Sequence, residues 1–165
     1  MFALESGERD AARVGRAARV STLVTALVGA LVAAASPWAI PLLFGPAFAP
    51  AVPLVAILIL ASVLGNPGSV AGAALSARGR PGLRTLALAI GAAIYLPPML
   101  LLIIWLGALG AALAMFIATI VPAYLVIYWL HKHYGVPLSE FYRFRAADFK
   151  AILRIVARFF ATRRA

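Results

Sequence analysis

The stretch "LSARGRPGLR", residues 75–84, decides how this chain folds. Between Arg19 and Lys132 the sequence contains no Asp, Glu or Lys, and its only arginines are Arg78, Arg80 and Arg84. On both sides of this basic island the residues are almost entirely apolar. The composition agrees: 64% of residues are hydrophobic and 12% charged, against about 45–50% and about 25% in ordinary soluble domains. Mean hydropathy is +1.00. A water-soluble fold would have to hide nearly everything from Val20 to Leu130, and 165 residues do not supply the polar surface to do so.

A helix crossing a hydrocarbon layer of about 30 Å needs about 20 mostly apolar residues. Four segments meet that requirement, at about 20–44, 49–75, 85–106 and 108–130. The turns between them are "GPAFAP", "ARGRPGL" and the Gly107 to Gly110 region. The expected fold class is therefore all-α: a polytopic membrane protein with four transmembrane helices. The first apolar stretch follows a basic run and contains "VAAAS", but it exceeds the roughly 7–15 residues of a cleavable signal and reads as a retained span.

The distribution of charge fixes a direction. Of the 15 basic residues, Arg9, Arg13, Arg16 and Arg19 precede the first span, three occupy the island, and eight lie from Lys132 onward. The other two connections carry no charge. Lys and Arg in short loops stay on the cytoplasmic side, so four crossings place both termini and the "ARGRPG" turn there. Trp38 and Trp105 then fall near the outer ends of spans one and three, and Tyr128, Trp129 and Tyr134 near the inner end of span four.

Residues 1–19 read as a basic lead-in helix and 131–165 as a basic amphipathic tail. On a helical wheel Leu138, Tyr142, Phe149, Ile152, Val156 and Phe159 share one side, with Arg143, Lys150, Arg154 and Arg158 opposite. Ser139 is the expected N-cap. Such a helix lies on an anionic leaflet, so membrane lipids, not nucleic acid, are the expected partners of the net charge of +10.

Several function classes lose support. There is no cysteine, hence no disulfide or thiolate site. The spans hold no ionisable residue of the kind that proton-coupled antiporters use. No Ser/His/Asp set, carboxylate pair or metal cluster argues for an enzyme, no cofactor motif is present, and the alternate imidazoles of "HKH" (131–133) read as interfacial residues. The spans are instead punctuated by proline: Pro37 and Pro41, Pro67, the pair Pro97 and Pro98, and Pro122. Each removes a backbone donor and leaves a carbonyl to be satisfied, as in the hinged helices of transporters.

The candidate site is "GNPGSVAG", 65–72. Asn66 is the only amide in any span, and Gly65, Pro67 and Gly68 are expected to unwind the helix and expose backbone to a cavity. The competing reading is helix packing, with Gly68 and Gly72 as a GxxxG pair and Asn66 bonded to a neighbouring helix. "GALGAALA", 107–114, is a packing face.

Three segments, "PLLFGPAFAPAVPLVAIL" (41–58), "ALSARGRPGLRTL" (74–86) and "WLGALGAALAMFIATIV" (105–121), resemble in that order the C-terminal region of the bacterial polysaccharide-biosynthesis exporters. These are the O-antigen type, lipid-linked oligosaccharide flippases of the multidrug/oligosaccharidyl-lipid/polysaccharide superfamily. The resemblance covers most of this chain and only the last part of the family's usual length. It implies half of the second of two helical lobes, completed by a separate N-terminal half or by further copies of the chain. It also implies location in a bacterial inner membrane and an isoprenoid-diphosphate-linked oligosaccharide as cargo. In that reading Arg78, Arg80 and Arg84 would gather the anionic headgroup at the cytoplasmic rim, although marking a cytoplasmic turn alone accounts for them; Asn66 would be a further substrate-binding residue, and Pro67, Gly68, Pro97, Pro98 and Pro122 would act as hinges. A non-transporting four-helix scaffold, or a remnant associated with polysaccharide assembly, accounts for the same spans.

Overall fold

A computed structural model describes residues 2–142 and their side chains from Asp10 onward. Among the described residues there is no strand. The elements are α1 (Phe2–Phe44), a 3₁₀ turn at Pro46–Ala51, α2 (Val52–Ala77), α3 (Pro81–Leu106), α4 (Ala108–Tyr134) and a short α5 (Ser139–Tyr142). Four of these helices are long and apolar enough to cross a membrane, as the composition requires. A helix bonds every interior backbone group within itself, which is why an apolar chain in lipid adopts it. Hydroxyls follow the same rule: Ser62, Ser76 and Thr119 each donate to the carbonyl four residues back, at 2.9, 3.0 and 2.8 Å.

The lead-in and the first span form one uninterrupted helix of 43 residues, about 64 Å long and well beyond the hydrocarbon thickness. Its N-terminal part therefore extends past the bundle on the side of the basic turn. The glycines that end elements have the positive φ that L side chains avoid. Gly79 (φ 77°) turns "ARGRPG", and Gly135 (φ 64°, ψ 14°) caps α4 in the left-handed conformation. The expected unwinding at Gly65–Gly68 does not occur, since α2 runs helical through Pro67 to Ala77.

Laterally the helices lie in the order α1, α2, α4, α3, because α4 packs against both α2 and α3 while α2 and α3 barely meet. Close approach is achieved by small residues. Gly68 lies on the Ala123 backbone, Gly65 on the Thr119 methyl, Gly91 on the Pro122 ring and Gly110 on the Leu102 carbonyl. Pro122 frees the carbonyl of Ala118, which faces Gly91, 3.4 Å from where a β-carbon would sit. A glycine Cα beside that oxygen is the partner lipid cannot offer.

The core is concentrated at one end. Leu75, Ala87, Ile127, Leu130, Val136 and Phe141 are buried together with Ala11, Ala18 and Ala71. These residues belong to the N-terminal parts of α1 and α3, the C-terminal parts of α2 and α4, and the segment after α4. Both described chain ends therefore meet the basic turn at the same end of the bundle. At the other end Trp38, Leu42, Ile104 and Trp105 stand 74%, 84%, 79% and 83% exposed, the condition of side chains that face lipid or another protein.

The tail departs from the wheel in its first turn. Phe141 is fully buried, whereas Leu138 and Tyr142, placed on the apolar side by periodicity, are exposed. The short α5 packs against α1 and turns Phe141 inward instead. The remainder of the amphipathic expectation, from Arg143 to Phe159, lies outside the described residues.

Candidate functional site: the basic end and the cleft above it

Asn66 faces α1. Its Nδ2 donates to Ser21 Oγ and Thr22 Oγ1, both at 3.0 Å, and its Oδ1 lies 3.3 Å from the same Ser21 hydroxyl. A lone amide in an apolar span needs partners, and α1 supplies two hydroxyls in adjacent positions. Replacing Asn66 with Ala strands Ser21 and buried Thr22, so thermal stability in detergent is expected to fall by about 1 kcal/mol. A variant that melts like the parent would show that these bonds hold nothing.

The three arginines of the turn do not converge. Arg78 caps α2, with its guanidinium over the Tyr134 ring at 5.0 Å and its carbonyl accepting from the Tyr134 hydroxyl at 3.3 Å. Its Nη1 is buried and has no hydrogen-bond partner among the described residues. Arg80 Nη1 reaches His133 Nδ1 at 3.4 Å. The α2–α3 turn is thus clasped to the end of α4, and His131 is bound to the Val136 carbonyl at 3.0 Å. The "HKH" imidazoles serve the chain itself, and no group of three metal-ligating side chains occurs among the described residues.

Arg84 stands apart from the other two. Its side chain crosses from α3 to lie over Gly72 of α2, with Cδ and Nε 3.3 Å from where a β-carbon on Gly72 would sit. There it closes the basic end of a cleft of about 280 Å³ between α2, α3 and α4. Gly65, Gly68 and Gly72 form the α2 wall, Thr119, Pro122 and Ala123 lie on the α4 side, and Leu88 of α3 lines it too. Of the sequence-expected site residues, Arg84, Gly68 and Pro122 come together in this cleft. Asn66, Arg78, Arg80, Pro67, Pro97 and Pro98 are not among its lining residues. Pro67 and Pro122 are buried in packed seams, and Pro97 is exposed on a helix that continues through it.

Sequence reasoning missed the buried charge pair found among the described residues. Arg19, 3% exposed, donates through Nη1 to Glu140 Oε2 at 2.8 Å and to the Glu140 carbonyl. Gly15 makes the room: a β-carbon there would lie 2.8 Å from Glu140 Cβ. The spacing of Ala11, Gly15 and Ala18 was the available signal, a small-residue stripe that lets another segment approach. Tyr142 stacks on Tyr124 with ring centroids 6.1 Å apart. Partial burial, then the Tyr124 hydroxyl, push the Tyr142 phenol above its ordinary range, so it stays neutral.

No protein family, curated protein or solved structure matches the chain.

Proposed function

We propose that this chain is part of a transporter that moves isoprenoid-diphosphate-linked oligosaccharide across a bacterial inner membrane for polysaccharide biosynthesis. The observation that carries this reading is the asymmetry of packing. The four helices are drawn together around Leu75, Leu130 and Phe141 at the basic end, while large apolar residues at the other end remain uncovered. A unit built this way suits one part of a larger helical assembly, in which a second half or further copies cover the exposed faces and complete a cavity. The resemblance of residues 41–58, 74–86 and 105–121 to the exporter family supplies the cargo class.

In this reading the basic end faces the cytoplasm, as the positive-inside rule directs. Arg78 and Arg80 are held against α4 and Arg84 stands apart at the cleft, yet all three give this end the positive charge that draws a diphosphate whose unassisted passage through hydrocarbon is prohibitive. An ion gradient or downstream use of the product would supply any drive that the transport step needs. A scaffold role draws on a different observation: Asn66, the sole span amide, is fully engaged with α1.

Complementation of a flippase-null strain decides between them. Co-expression with a candidate N-terminal half is expected to restore surface polysaccharide. Failure of the chain both alone and with that half removes the transport reading. Replacing all three turn arginines with Glu should also disturb orientation in reporter fusions, and an unchanged topology would show that these charges do not set it.

A further inference from the structure

We propose that the cleft between α2, α3 and α4 is a binding site for one anionic glycerophospholipid, with its phosphate on Arg84 and one acyl chain between the helices. The inference does not depend on the transport reading. Its first support is charge. Among the described residues Arg84 is the only charged one lining the cleft, it lies at the basic end, and it has neither a hydrogen bond nor an ion pair. A guanidinium at the depth of the headgroups is matched by a phosphate, which it can bind through two parallel donors.

The second support is the order of groups along the walls. Gly72 lies beneath Arg84, and Ser69 follows three residues away, about 4.5 Å further from the basic end. Ser69 is exposed and lines the cleft, and among the described residues its hydroxyl makes no hydrogen bond. That displacement, close to one helical turn, is the separation between a phospholipid's phosphate and its ester oxygens. Beyond Ser69 the walls are Gly68, Gly65, Leu88 and Met115, and the Thr119 hydroxyl is spent on the Met115 carbonyl. The sequence of surfaces is cation, hydroxyl, hydrocarbon, and a phosphodiester lipid presents anion, ester, hydrocarbon in the same order.

The third support is size. At about 280 Å³ the cleft falls just below the about 300–1,000 Å³ of pockets that enclose whole drug-sized molecules. It seats part of one chain and leaves the second in the bilayer. The ester-level hydroxyl favours a glycerophospholipid over a polyprenyl phosphate, which has no ester at that depth.

Native mass spectrometry of the delipidated full chain, with phosphatidylglycerol, phosphatidylcholine or a polyprenyl phosphate added, tests this. One phosphatidylglycerol should be retained per chain, about tenfold in preference to phosphatidylcholine, whose headgroup cation already neutralises its phosphate. Arg84→Gln should erase that preference, Ser69→Phe should fill the cleft and abolish retention, and Lys132→Gln, outside the cleft, should change neither. Circular dichroism confirms folding of each variant, and if Ser69→Phe fails to fold, the Arg84→Gln comparison decides alone. Equal retention by Arg84→Gln overturns the proposal. So does an equal loss in Lys132→Gln, which would mean diffuse attraction. Retention of the polyprenyl phosphate with exclusion of phosphatidylglycerol also overturns it, and assigns the cleft to cargo.

Discussion

Replacing Gly68 by valine is expected to prevent accumulation of the folded chain in the membrane fraction. A β-carbon at this position would overlap the Cα and Cβ of Ala123 and lie 2.8 Å from the Ala123 carbonyl oxygen. These are backbone atoms or atoms fixed to it, so no change of rotamer relieves the conflict and α2 must move away from α4. In lipid that separation is not repaired by hydrophobic attraction, because acyl chains are as apolar as the helix surfaces they replace. Helix association there depends on close contact, and α4 is the helix against which both α2 and α3 are seated. Overpacking costs about 1–3 kcal/mol and occasionally more, and a backbone clash at the central seam belongs at or above the upper figure. Gly82→Ala is the matched control: a β-carbon there meets nothing within 4 Å, and the first turn of α3 tolerates it. If Gly68→Val accumulates and melts with the Gly82→Ala control, α2 and α4 are not neighbours at this depth.

The same seam shows which parts of the structure were legible in the sequence. The spans were readable because length, hydropathy and charge placement are properties of a single segment. Gly68 and Gly72 announced close packing by their spacing, and Gly110 and Ala114 by theirs, and all four are buried. What no segment announces is its neighbour. Each span is apolar on every face, so no polar stripe marks which side turns inward, and the order α1, α2, α4, α3 appears only in the folded chain.

Local breakage was overestimated for a related reason. Pro67 was expected to open α2, but a single missing donor does not unwind a helix when small neighbours lie against it; the Gly91 contact at Pro122 shows the device. The cleft residues were legible one by one. Arg84 was singled out together with Arg78 and Arg80, yet its separation from them comes from tertiary geometry. Arg78 and Arg80 are taken up by Tyr134 and His133 of α4, and Arg84 crosses to Gly72. Three charges within seven residues of sequence thus acquire different tasks.

Loss of the Glu140 carboxylate is the second large effect. Arg19 is buried where α1 meets the segment after α4, and the carboxylate 2.8 Å from its Nη1 is what makes a guanidinium tolerable there. Taking one partner from a buried pair leaves the other charged and poorly solvated, at a cost of about 3–5 kcal/mol. Arg19 and Glu140 both make further interactions, including the Glu140 carbonyl, so Glu140→Ala is expected near the lower end of that range. The double variant Arg19→Leu/Glu140→Leu should be less destabilised than Glu140→Ala, because it removes the stranded charge along with the attraction. Hydrogen exchange localises the effect. Amides of residues 136 and 138–142 should lose protection in Glu140→Ala, since the pair, Gly15 and Phe141 fasten the segment after α4 to the first helix. Unchanged exchange there, together with equal melting of all three chains, would show that the ion pair does not hold these segments together. The opposite result is expected because the basic end is where this bundle buries its core, and Arg19 and Glu140 place opposite charges in contact beside it.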